Sequence, residues 1–158
     1  MEVLWGAWVR SVEYDEDGLP SRIEGIYEYV HKENKGDFPF ITTLRVILCF
    51  EAPLSEFNKT LVMQLEIWDV DAGKICTLDV DVTIPGNYMD VRWYDDFEFE
   101  NVEFREAGYY QLSVLVYGEV RRHVPLYITD GKTEIWGGKD DVELKIWPED
   151  LGKWRDKI

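Results

Sequence analysis

A chain of 158 residues with 46% hydrophobic and 15% aromatic content is long enough for one globular core and too apolar to be disordered. Its 32 acidic and 17 basic residues leave a net charge of -15, a field that repels phosphate backbones and anionic membrane surfaces. Nucleic acid is therefore disfavoured as a partner. The charge serves solubility first, and beyond that it favours a basic protein partner or a bound cation.

The first ten residues, MEVLWGAWVR, contain no basic leader and an apolar run too short for a signal peptide or a membrane span. The alternation of Trp5, Ala7 and Val9 predicts a first strand ending near Arg10. Tyr14 to Ser21 has turn chemistry, with a positive-φ position at Asp17-Gly18 and Pro20 to break pairing. Ile23 to Val30 is apolar on both parities and is expected to form one strand, with Gly25 as a bulge. After a polar connection from His31 to Pro39, Thr43 to Glu51 alternates cleanly, with Leu44, Val46, Leu48 and Phe50 inward.

Thr60 to Trp68 and Ile75 to Ile84 alternate on either side of the short turn Asp69 to Lys74, the pattern of a hairpin with one solvated face. From Met89 to Phe104 one or two strands are expected, with Asp95-Asp96 at a bend or exposed corner. Ala107 to Thr129 is a second hairpin. Tyr110, Leu112, Val114 and Val116 face a core, Gly118-Glu119 turns the chain, and Val120, Val124, Leu126 and Ile128 return. Pro125 lacks an N–H, so its strand is expected at an edge or with a bulge. Arg122 falls on the inward parity and needs an acid or a bulge. With no helix-period stretch in this region, the chain is predicted to be all-β, an antiparallel sandwich of about eight strands.

The division expected is a sandwich domain at 1–129 and a C-terminal appendage at 130–158, packed on the sandwich or on a neighbouring subunit. In the appendage, Thr133 to Trp136 and Val142 to Trp147 suggest short strands, and Pro148-Glu149-Asp150 opens a short helix. Cys49 and Cys76 lie on parities that point to different faces, so both are expected to be free thiols in a reducing cytoplasm.

The motifs DGLPSRIEGIY (Asp17 to Tyr27), Phe38-Pro39, Pro53-x-x-Glu56, LEIWDVDAGK (Leu65 to Lys74), Ile84-Pro85 and the Gly108 to Ile128 run occur in an order that resembles a known family. It is similar to a family of uncharacterised prokaryotic β-sandwich proteins, known only as a domain of unknown function, over about residues 1–129. The resemblance implies an immunoglobulin-like or C2-like sandwich and no established activity, so no catalytic residue carries over.

Asp69 and Asp71 beside Gly73 resemble a C2-type calcium loop, with Asp15 and Asp17 or Asp95 and Asp96 as further oxygen donors; an Asp/Gly hairpin turn is the commoner use. Among the abundant aromatics, Trp68, Trp93, Tyr94 and Trp136 are candidates for stacking on a sugar or anchoring a protein, against the ordinary use of such residues in a thick core. His31 and His123 have no evident partner, and Ser11, Ser21, Ser55 and Ser113 lack a nucleophile-elbow context. There is no zinc spacing and no phosphate loop. The sequence therefore points away from an enzyme and towards a non-catalytic interaction or structural module. It would bind through an exposed sheet edge or an aromatic patch, with Trp68, Trp136, Trp147 and Trp154 at the interface and a homo-oligomer as one outcome. The alternative is a ligand-binding module, calcium-dependent or carbohydrate-binding.

Overall fold

In a computed structural model, residues 1–31, 38–71, 73–86, 92–129 and 145–146 are described. They form eleven strands and one 3-10 turn, Leu54–Glu56: β1 (Glu2–Val9), β2 (Ser11–Tyr14), β3 (Pro20–Glu24), β4 (Tyr29–His31), β5 (Phe40–Glu51), β6 (Thr60–Asp69), β7 (Gly73–Thr83), β8 (Arg92–Phe104), β9 (Gly108–Val116), β10 (Glu119–Thr129) and β11 (Lys145–Ile146). No helix of the described residues is long and apolar enough to cross a membrane.

A five-stranded sheet, β4-β10-β9-β6-β7, packs on a three-stranded sheet, β1-β5-β8. The inward parities meet between them: Leu44, Val46, Leu48 and Phe50 face Met63, Leu65, Ile67, Leu112, Val114, Leu126 and Ile128, all buried. Phe50 stacks on Trp93 with ring centroids 5.2 Å apart. The Tyr110 hydroxyl donates to the Glu106 carbonyl at 2.7 Å, a tyrosine-corner geometry that ties a β-sandwich strand to the loop preceding it.

The other face of the three-stranded sheet is covered as well. The β2–β3 hairpin and β11 form a small third layer. Beneath it, Trp5, Ala7 and Val9 of β1 and Ile47 and Cys49 of β5 meet Ile23 and Ile26. Double burial is why β1 and β5 are apolar on both parities. Tyr14 fastens the layer: its hydroxyl donates to Asp96, whose other oxygen accepts from Arg45. Burial, that hydrogen bond and the nearby carboxylate charges push the Tyr14 phenol well above its ordinary range.

Several strands differ from expectation, and each difference has a local cause. Ile23 to Val30 is two strands: the chain breaks at Gly25, which takes φ 68°, and β4 crosses to the five-stranded sheet to pair in parallel with β10. A side chain at Gly25 would also strike Arg10. Ser11 to Tyr14 is a strand of its own, which together with that break and β11 raises the expected eight to eleven. Asp95-Asp96 lies in mid-strand rather than at a bend, paired with Leu48 and Ile47 across β5 and β8. β10 is an interior strand, but β4 pairs only with Tyr127 to Thr129, so at Pro125 β10 is locally an edge. The β9–β10 turn is tight because both Tyr117 and Gly118 take positive φ, 51° and 77°.

The sheets are joined at one seam. Residues between β3 and β4 stitch β1 to β10: Tyr27 N–H donates to the Trp8 carbonyl at 3.0 Å and Tyr127 N–H to the Glu28 carbonyl at 2.7 Å. Trp8 Nε1 reaches the Pro125 carbonyl at 2.9 Å. Arg122, next to a register shift in β10, turns its guanidinium onto the carbonyls of Val3 and Leu4. The inward arginine is thus resolved by both a bulge and main-chain acceptors, not by an acid. The opposite seam, between β7 and β8, is open: no hydrogen bond joins them among the described residues.

Candidate functional site

The five-stranded sheet is wider than the sheet it covers, so β7 overhangs. Its outward positions Thr77, Asp79 and Asp81 are exposed, and its inward positions Cys76, Leu78 and Val80 are only half-buried. Among the described residues, no strand pairs with its outer side. The result is an open edge with main-chain donors and acceptors, a half-covered apolar face and two carboxylates.

The outer face next to that edge carries a polar band, set by register. Glu66 on β6 lies beside Thr77 on β7 and Ser113 on β9, and Ser113 lies beside His123 on β10. Glu66 is 9% exposed and Ser113 6%, which is low for an outward face. Each has a partner. Lys74 Nζ donates to Glu66 at 3.2 Å, and Ser113 Oγ lies 3.1 Å from His123 Nδ1. The Tyr109 hydroxyl donates to Gln111 Oε1 at 3.2 Å, which turns the Gln111 amide nitrogen towards the same Nδ1. Gln64 Nε2 donates to Asp79 at 3.1 Å and extends the band to the edge strand. Trp68 lies one row away, between Lys74 and Gln111, and is 38% exposed.

Of the aromatic candidates among the described residues, Trp68 lies on this face. Trp93 is buried against Phe50 and Tyr94 packs in the second core, so neither is a surface platform. Trp136, Trp147 and Trp154 lie outside the described residues. Asp69 ends β6 and Asp71 is in the turn, where the Asp71 N–H donates to Asp69 Oδ1 at 2.9 Å, the side-chain-to-backbone bond of an Asp/Gly hairpin. No third acid joins them, and among the described residues no group of three or more His, Cys, Asp or Glu is placed to hold an ion. Two carboxylates supply fewer than the roughly six to eight oxygens calcium takes.

Sequence reading missed His123 as a partnered residue, because its contacts are cross-strand and depend on a register shift between Val120 and Arg122. The signal available was parity: Glu66, Gln111 and Ser113 are polar residues on outward positions of central strands.

No protein-family model matches the chain, and no curated protein matches it. Among solved structures it is similar to a beta-glucosidase from Listeria innocua in complex with glucose, at 10% identity and TM-score 0.38, over 68% of this chain and 15% of that one. It is also similar to an alkylpurine DNA glycosylase from Pseudomonas fluorescens bound to DNA, at 12% identity and TM-score 0.34, over 68% of this chain and 30% of that one. The chain thus spans less than a third of either protein.

Proposed function

We propose that this protein is a non-catalytic interaction module of the cytoplasm that takes an extended basic segment of a partner protein against β7. The observation that carries the reading is the overhanging β7 edge, with its half-buried Leu78 and Val80 beside exposed Asp79 and Asp81. Strand addition supplies main-chain hydrogen bonds, while alternate side chains of the guest meet the apolar inner face and the acids. The same acids oppose pairing of two β7 edges, so self-association would run through the C-terminal segment instead. Cys49 and Cys76 form no disulfide, in keeping with a reducing compartment. The Tyr110 corner supports an immunoglobulin-like sandwich. Catalysis is not part of the reading.

Calorimetric titration with a peptide of roughly eight residues alternating lysine and valine tests this. The expected result is binding that weakens with salt and is lost in Asp79→Lys/Asp81→Lys. Binding indifferent to that charge reversal would sink the proposal. Half-exposed Trp68 beside the Gln111 and His123 polar band favours a second reading, a carbohydrate platform. That reading predicts quenching of Trp68 fluorescence across a glycan panel, absent in Trp68→Ala.

A further inference from the structure

We propose that the cleft at the β1/β10 seam is a binding site for a small carboxylate carried on an apolar body. It is independent of the β7 edge and lies on the opposite seam. The cleft has a volume of about 320 Å³, at the lower end of the range in which small-molecule sites fall. Trp8, Ile26, Val124 and Pro125 give it apolar walls. The lining residues with polar side chains are Tyr27, Glu28, Arg122 and His123.

Two of these, Arg122 and His123, are nitrogen donors with no carboxylate partner among the described residues. Arg122 makes no ion pair among the described residues, in a chain with 32 acids; its guanidinium is held by the carbonyls of Val3 and Leu4 through Nε and Nη2. Those bonds leave it anchored, with its full charge and remaining N–H groups uncompensated, the fork that carboxylates match. His123 is set as a donor by its neighbours. Because Gln111 presents its amide nitrogen to Nδ1, the neutral ring carries its proton on Nε2. Glu28 is exposed, so solvent screens its charge. A net charge of -15 penalises a dianion more than a monoanion, which favours a carboxylate over a phosphate.

The test titrates the full chain with indole-3-acetate up to about 10 mM, with indole-3-acetamide and tryptamine as controls. Binding is read by calorimetry and by the Trp8 indole N–H resonance. Expected is saturable acetate binding that shifts that resonance, with the acetamide at least tenfold weaker and no binding of the amine. His123→Gln, at an exposed position, should weaken binding several-fold with the fold intact, and Arg122→Gln should weaken it tenfold or more. Should Arg122→Gln not fold, the His123→Gln affinity decides. No acetate binding, equal binding of the three probes, or an affinity untouched by His123→Gln each overturns the proposal.

Discussion

At the β1/β10 seam the two sheets are held by main-chain bonds from Tyr27 and Tyr127, by Trp8 Nε1 on Pro125 and by Arg122 on the end of β1; at the β7/β8 seam no such bond exists among the described residues. Both seams border the same core, yet one is built from a tryptophan, an arginine and a glycine and the other from alternating Thr and Asp on β7 and Asp95 on β8. Closure here depends on a few side chains that reach across, and openness on polar residues that decline to. The closed seam should therefore dominate stability, while the open one is left free to bind.

Breaking the closed seam should give the largest effect. Trp8 is 1% exposed and packs against Phe99 while bonding Pro125. Trp8→Ala is expected to cost about 3–5 kcal/mol by denaturant unfolding, the range for deleting a buried aromatic. Gly6→Ala is next. An added Cβ would lie 2.6 Å from Leu48 Cδ2 and 2.9 Å from Val124 Cγ2, so β1 and β10 must part or the side chains must shift. Overpacking of this kind costs roughly 1–3 kcal/mol. If both variants unfold like the parent, the seam is not what holds the sheets.

How much of this was legible follows from what alternation records. It records which face of a strand is apolar, and it placed Leu44, Val46, Leu48 and Phe50 in the core correctly. It also separated Cys49 from Cys76, which lie in different clusters. What it does not record is which layer a face meets. Ile23 and Val30 look alike in sequence, yet Ile23 belongs to the third layer and Val30 to the main core, divided by the positive φ of Gly25. Asp95-Asp96 suggested a bend because two acids in an apolar strand are costly; the cost is met by β8 being an edge and by Arg45 on Asp96. The polar band of Glu66, Ser113 and His123 needs the register of four strands, which no single stretch contains.

At the open seam the same kind of deletion should matter less. Leu78 faces the core from β7 but is only half-buried, so Leu78→Ala is expected to cost about 1 kcal/mol, below the roughly 2–5 of a fully buried leucine. A loss of the full size would mean that the edge is covered in solution, for instance by self-association, and light scattering on the same sample would show it.

The smallest effect, and the one opposite in sign, is expected at Asp95. It lies opposite Leu48 and so on the core side of an edge strand, between Trp93 and Phe97. Burial pushes its carboxyl above the ordinary range; the Asp96 N–H donated to it opposes the shift and the Asp96 charge adds to it. A carboxyl whose pKa is higher folded than unfolded takes up a proton on folding, so its ionised form costs stability. That cost is full above the folded pKa, fades as the pH falls through it, and is gone below the unfolded value of about 3.9. Asp95→Asn keeps an acceptor for the Asp96 N–H and removes the charge, so it should raise Tm by roughly 1–3 °C at neutral pH, with the gain disappearing towards about pH 4. A gain that persists in acid would assign the effect to packing instead of charge. An inward carboxylate on an edge strand also discourages edge-to-edge pairing. The stabilised variant should therefore associate more readily at high concentration, which would show the charge to be what keeps this seam open.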